Sequence, residues 1–206
     1  MLAVAGCVAH PRPYADDATV AAVSYSAPGP KTISLYTMVN NRTGAGGHSS
    51  LMINASERVI FDPAGSFYAD IVPERNDVLF GITPAVERAY RSSHARSTHH
   101  VVVQTFEVSP EQAELAYRLA LQAGPVSQAY CAKATSELLQ QLKGFEGIKS
   151  TFYPAKLEEQ LAALPGVKTE RLYEEDSADL QEGLAKNNAM LLAMQPSETE
   201  TAAPAE

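Results

Sequence analysis

A chain of 206 residues, 45% of them hydrophobic and 19% charged, carries enough apolar material for one sizeable core and too little for two, so a single domain with dispensable ends is expected. The formal charge of −8 and the scatter of its 16 Lys and Arg residues argue against a phosphate-binding surface, and so against nucleic acid as a partner. No apolar run approaches the roughly twenty residues that span a bilayer.

At the N-terminus, Leu2-Ala3-Val4-Ala5-Gly6 leads with small residues into Cys7, a pattern that resembles a bacterial lipobox and implies lipid on Cys7. The basic and long apolar regions of a full export signal are missing, which a start codon set too far downstream would explain. Residues 8–30 are a Pro, Ala, Ser and Asp mixture of the kind that forms a tether. Residues 1–30 are therefore read as a truncated lipoprotein signal and flexible tether. This reading puts the domain on the periplasmic face of a bacterial envelope, held to the membrane through Cys7. A Cys7–Cys131 disulfide would tie a flexible tail to a helix start and is not expected. Cys131 is then a lone thiol in an oxidising compartment, available for chemistry.

The first core element is a strand over Thr32–Val39, where alternation coincides with β-branched content. Asn40 to Gly47 reads as a loop whose glycines let a ligand approach the backbone. A second strand opens at His48 and runs to about Asn54. A turn over Asn54–Glu57 returns the chain through a third strand, Arg58–Asp62, stopped by Pro63 and Gly65. With the turn centred there, His48 falls beside Asp62 or Pro63, a placement that depends on register. Residues 66–76 are irregular, and Asp77–Ile82 is a further strand. Thr83 and Pro84 supply the N-cap and first position of a short helix. His99–Val108 is the strongest strand signal and is expected to lie centrally in the sheet. Ser109-Pro110-Glu111-Gln112 resembles a capping box, and the helix behind it ends at Gly124-Pro125. The next helix, about Ser127 to Leu142, carries Cys131 on its first turns and an apolar stripe of Ala134, Leu138, Leu139 and Leu142. A helix over Pro154–Leu164 and an edge strand over Val167–Tyr173 complete residues 31–174, the expected catalytic domain. Residues 175–206 form an acidic tail, helical over Ala178–Met194 and low in complexity, hence disordered, over Glu198–Glu206.

A cysteine in the first turn of a helix meets unpaired N–H groups and the positive end of the macrodipole, and both favour thiolate. A nearby imidazole completes a nucleophile and base pair, with a third polar group to orient the ring. Taken singly the residues are weak signals. A lone helical cysteine is most often a small buried hydrophobe, and Asp before Pro is an ordinary turn residue. Together, a histidine leaving a glycine loop, an aspartate within hairpin reach and a cysteine opening a helix point to thiol chemistry. His94, His99 and His100 do not make a metal set, because adjacent histidines on a strand face opposite ways and no acidic or thiol ligand lies at the right spacing. No cofactor is required.

The segments Gly46-Gly47-His48-Ser49-Ser50-Leu51-Met52-Ile53 and Ala129-Tyr130-Cys131-Ala132-Lys133-Ala134-Thr135-Ser136-Glu137-Leu138-Leu139 resemble the circularly permuted papain-like hydrolases. These are relatives of NlpC-type cell-wall peptidases and of lecithin–retinol acyltransferase-like proteins. The histidine strand precedes the cysteine helix, as permutation requires, and the resemblance covers about residues 32–165. It implies an α+β fold, an antiparallel sheet packed against helices with the nucleophile at a helix N-terminus. It further implies Cys131 as nucleophile, His48 as general base and then acid, and Asp62 as the orienting residue, the position that varies most in the family. Tyr130 or Gln128 would help bind the oxyanion, and Gly46 and Gly47 would lie against substrate. The activity implied is cleavage or transfer at an amide or ester of the envelope, peptidoglycan peptide first and a lipid acyl ester second. The competing expectation is a non-catalytic envelope lipoprotein that uses the same fold for binding.

Overall fold

The computed structural model describes residues 14–195. Seven strands form one antiparallel sheet in the order β4-β5-β3-β2-β1-β6-β7. In chain order they are β1 (Thr32–Asn40), β2 (Gly46–Asn54), β3 (Arg58–Phe61), β4 (Glu74–Arg75), β5 (Val78–Leu79), β6 (His99–Glu107) and β7 (Lys168–Leu172). The helices are α1 (Asp17–Ala22), α2 (Pro84–His94), α3 (Pro110–Gln122), α4 (Cys131–Leu139), α5 (Pro154–Ala162) and α6 (Leu180–Ala193). The protein is therefore α+β.

Strand alternation sorts side chains between two cores. Ile33, Leu35, Leu51, Ile53 and Phe61 face α3, α4 and α5, whereas Tyr36, Met38, Met52, Ile60, Val101 and Val103 face α2 and α6. Because both faces are covered, β1 is buried from Ile33 to Val39, and even Ser34 is inside, its hydroxyl 2.8 Å from that of Thr105. Each fully buried aliphatic side chain contributes roughly 1.5–3 kcal/mol to this arrangement. β6, expected at the centre, is an interior strand beside the short edge strand β7. The strand expected over Asp77–Ile82 shrinks to Val78–Leu79, since Asn76 and Asp77 take positive φ (50° and 62°) and turn β4 tightly into β5. The chain bends again at Gly81 (φ 70°), where an added Cβ would meet Val23 at 3.0 Å.

The ends of the described chain correct the expected boundaries. Residues 14–30, read as tether, are strapped to the domain: Ala15 N–H donates to the Glu74 carbonyl, Arg58 N–H to Tyr25 and Asn54 Nδ2 to Pro30. Val20 and Val23 of this strap pack on the first core. Cys7 lies outside the described residues. At the other end, α6 is no appendage. Gly183, Leu184, Asn187 and Leu191 are buried, and Asn187 Nδ2 donates to Ser93 Oγ (3.0 Å) and to the Gly183 carbonyl (3.0 Å). Hydrophobic burial against α2 thus makes α6 half of the second layer, despite the acidic composition around it. The low-complexity stretch Glu198–Glu206 lies outside the described residues. Among the described residues, no helix is long and apolar enough to cross a membrane.

Candidate active site

Cys131 is the first helical residue of α4, later than the expected start near Ser127. The intervening residues form a turn instead: Ala129 has a φ of 68°, and Tyr130 N–H donates to the Ser127 carbonyl. A left-handed conformation at an alanine costs on the order of 1–2 kcal/mol, so the approach to Cys131 is held under strain by its surroundings. Tyr130 is the N-cap and supplies no capping side chain, in contrast to Thr83 before α2 and Ser109 before α3. The first-turn N–H groups of α4 are therefore left for other acceptors. The helix is docked on β2 by Thr135, whose hydroxyl lies 3.3 Å from Ser49 Oγ and donates to the Cys131 carbonyl at 2.9 Å. Cys131 is a free thiol, 7% exposed.

His48 sits at a bulge. Met38 pairs with His48 but Val39 pairs with Gly46, so Gly47 is the extra residue in β2. Met38 packs in the α2 side of the sheet, whereas Cys131 arrives from the α4 side. A bulge sharpens the local twist and re-aims the adjoining side chain, which lets the ring of His48 serve both. Its Nε2 lies 2.7 Å from Asp62 Oδ1, leaving Nδ1 for the thiol.

Asp62 reaches His48 through a register other than the expected one. Leu51 pairs with Phe61, which sets Asp62 opposite Ser50 rather than His48. Positions 48 and 50 share a face of β2, so the two side chains still meet. Two further groups hold the carboxylate. Tyr90 OH, on α2, is 2.8 Å from Asp62 Oδ1 and 2.7 Å from Ser50 Oγ. Its one proton goes to the carboxylate, and Ser50 donates to the phenol oxygen. Behind them, Gly65 N–H donates to the Asp62 carbonyl at 2.9 Å. A Cβ on Gly65 would stand 2.6 Å from Asp62 Oδ1 and nearer still to Oδ2 and Cγ, so only glycine fits there.

The charges follow from these contacts. Burial alone would push His48 down, but the Asp62 charge, its hydrogen bond and the neighbouring Cys131 outweigh that and hold the imidazole up at about 10. Burial alone would push the Cys131 thiol up. The hydrogen bond and charge of His48, with N–H groups of Ser49 and Ala132, bring it below its ordinary value. Asp62 is likewise driven up by burial and, on balance, down by His48, His94 and Tyr90. The combination favours thiolate, imidazolium and carboxylate in a row.

The other expected residues fall elsewhere. Tyr130 is exposed and stands edge-on to Phe152, ring centres 5.2 Å apart, and Gln128 is exposed in the turn before α4. Gly46, expected in a loop against substrate, is the first residue of β2, and a Cβ there would meet Ala155 N at 2.5 Å and Pro154 Cβ at 2.8 Å. Its contact is the N-terminus of α5. Gly47 lies by the ring of His99. The remaining histidines diverge: His94 Nδ1 donates to the Tyr90 carbonyl at 2.7 Å, His99 Nδ1 lies 3.0 Å from the Thr98 hydroxyl, and His100 Nδ1 is 2.8 Å from Asn41 Oδ1. The sequence assigns no site role to Tyr90 or Ser50, weighs His94 only as a metal ligand, and reads Gly65 only as a stop just past a strand ending in Asp-Pro. Comparison with protein families, with curated proteins and with solved structures finds no match.

Proposed function

We propose that the protein is a thiol-dependent hydrolase or acyltransferase acting on an amide or ester through an acyl-enzyme on Cys131, in a domain of permuted papain-like type. The observation that carries this reading is the 2.7 Å contact of His48 Nε2 with Asp62, with the opposite ring nitrogen left for a thiol at the first residue of an uncapped helix. A buried structural cysteine needs neither an imidazole beside it nor a buried carboxylate behind that imidazole.

The reaction follows from the residues. The Cys131 thiolate attacks the carbonyl carbon, a C–S bond forms, and the carbonyl electron pair moves to oxygen, where first-turn N–H groups of α4 receive it. His48, protonated on Nδ1, gives that proton to the leaving nitrogen or oxygen as its bond to carbon breaks. Asp62 keeps the ring oriented and compensates its charge. Water or another acceptor then loses a proton to His48 and attacks the thioester, and the thiolate departs. Peptidoglycan peptide is the first substrate proposed and a lipid acyl ester the second, with the domain held at the envelope through lipid on Cys7.

Trapping tests this directly. An envelope extract should leave an acyl adduct on Cys131, identified by mass and absent from Cys131→Ala. Labelling with iodoacetamide should persist well below the ordinary thiol pKa of about 8.5. A labelling profile that rises only near that value, with no adduct, would replace the enzyme with a binding protein of the same fold.

A further inference from the structure

Beside His48, on the α2 and α6 side of the sheet end, lies a cavity of about 240 Å³. Gly47, His48, His94, Arg96, His99 and Leu180 contribute to its wall. In a chain of net charge −8, no carboxylate lines this space among the described residues. Its cation is held in place before any ligand arrives. Arg96 and His99 face each other across an isolated antiparallel bridge, with Arg96 N–H donating to the His99 carbonyl at 2.7 Å and His99 N–H to Arg96 at 3.0 Å. Bridge partners project to the same side, so guanidinium and imidazole stand together. Asn41 Nδ2 donates to the carbonyls of Arg96 (3.3 Å) and Ser97 (3.0 Å) and clamps this turn. Arg96 NH1 donates to the Ala178 carbonyl at 2.9 Å, which fixes one edge of the fork. Its Nε is buried without a partner.

With one edge given to a backbone carbonyl and Nε enclosed, the guanidinium has no hydrogen-bonded carboxylate of its own among the described residues. Asp62 is turned to His48 and Tyr90 through Oδ1, and Asp179, whose charge does act on Arg96, caps α6 by accepting from Gln181 N–H. His94 gives its Nδ1 proton to Tyr90, so its other nitrogen is an acceptor and adds no charge.

We propose that this cavity is a subsite for a carboxylate group of the substrate, received by Arg96 with His99 beside it, and adjoining the His48 that serves Cys131. A planar carboxylate matches the planar guanidinium, and with the His48 charge already paired to Asp62, Arg96 is the one fixed cation left in the wall, which suits one negative charge better than a phosphate dianion. α6 then has a task, since Leu180 and the Ala178 carbonyl close and brace the pocket. Calling the anion part of a substrate rests on the catalytic reading above; the binding itself does not.

The test therefore uses the full chain carrying Cys131→Ala, in which no thiol chemistry occurs. Ring proton signals of His94 and His99 are followed by NMR during titration with propionate, its neutral isostere propionamide, and methylphosphonate. A saturable shift with propionate and none with propionamide is expected. Arg96→Gln should weaken propionate binding about ten- to a hundredfold, the worth of a charge-assisted pair, while Arg96→Lys, which keeps the charge and spares the fold, should weaken it less. Equal responses to acid and amide, stronger binding of methylphosphonate, no saturable shift, or unchanged affinity in Arg96→Gln would each overturn the assignment. An acyl adduct on Cys131 together with a failed titration would leave the enzyme standing and remove the subsite alone.

Discussion

Replacing Gly65 by alanine should lower the reactivity of Cys131 without touching it. The new Cβ would lie 2.6 Å from Asp62 Oδ1 and closer to the rest of the carboxylate. To regain ordinary contact for its nearest atom the carboxylate has to retreat by ~1.5 Å. That is enough to stretch its 2.7 Å bond to His48 past the roughly 3.2 Å at which such bonds end. The carboxylate cannot simply rotate away, because Tyr90 holds the same oxygen at 2.8 Å. Losing a charge-assisted hydrogen bond of about 1.5–3 kcal/mol frees the imidazolium ring from the orientation that presents it to Cys131, and the thiolate loses the partner that favours it. Iodoacetamide labelling of Cys131 at neutral pH should fall about ten- to a hundredfold, and its pH profile should move up toward that of a free thiol near 8.5. Asp62→Asn, which removes the charge but keeps the shape, should give the same profile with less loss of melting temperature. A Gly65→Ala protein that folds and labels like the wild type would refute the carboxylate-to-thiol coupling.

Gly46→Ala should do the reverse. Its Cβ collides with Ala155 and Pro154 at the start of α5, so thermal unfolding should show a loss of about 1–3 kcal/mol while the labelling profile stays put; a changed profile would restore Gly46 to the site. Thr135→Val strands the buried Ser49 hydroxyl and should cost about 1–3 kcal/mol, measured by denaturant titration. The histidines predict opposite pH effects. His48 is raised to about 10, so its contribution to stability is complete below its unfolded value of about 6.5 and disappears as pH climbs through 10. Turnover by the proposed mechanism should fail over that same upper range as His48 loses its proton. His94 is depressed by burial to about 4, so the unfolded chain alone takes up its proton between pH 6.5 and 4, and stability falls there by on the order of 3 kcal/mol. His94→Gln should flatten that stretch of the stability curve, and an unchanged slope would show that His94 is not buried neutral.

The chemistry-bearing residues were legible because local rules govern them. A helix start is written by Tyr130-Cys131 and the apolar stripe after it, and a strand by the alternation after His48. The expected register sets His48 beside Asp62 or Pro63; the observed pairing of Leu51 with Phe61 differs from it and still keeps 48 and 62 on one face. A slip of a single residue would have separated them. α4 starts later than the pattern around Ser127 suggests because Ala129 takes a left-handed φ of 68°, which nothing in its own chemistry announces.

What the sequence withheld came from the second layer. Tyr90 and His94 sit four apart on α2, where each reads as an ordinary residue of an amphipathic helix. Their value arises only when α2 lies on the sheet face that carries Ser50, Asp62 and His48. That docking depends on α6, whose Leu184 and Leu191 complete the core behind α2 although its surroundings read as an acidic tail. Composition averages over a helix, but burial is decided face by face, and four inward residues in α6 suffice to fix it. The carboxylate behind His48 is thus held from one layer and the thiol delivered from the other. Loosening α6 should therefore weaken Cys131 reactivity across the full thickness of the sheet, through Tyr90 and Asp62.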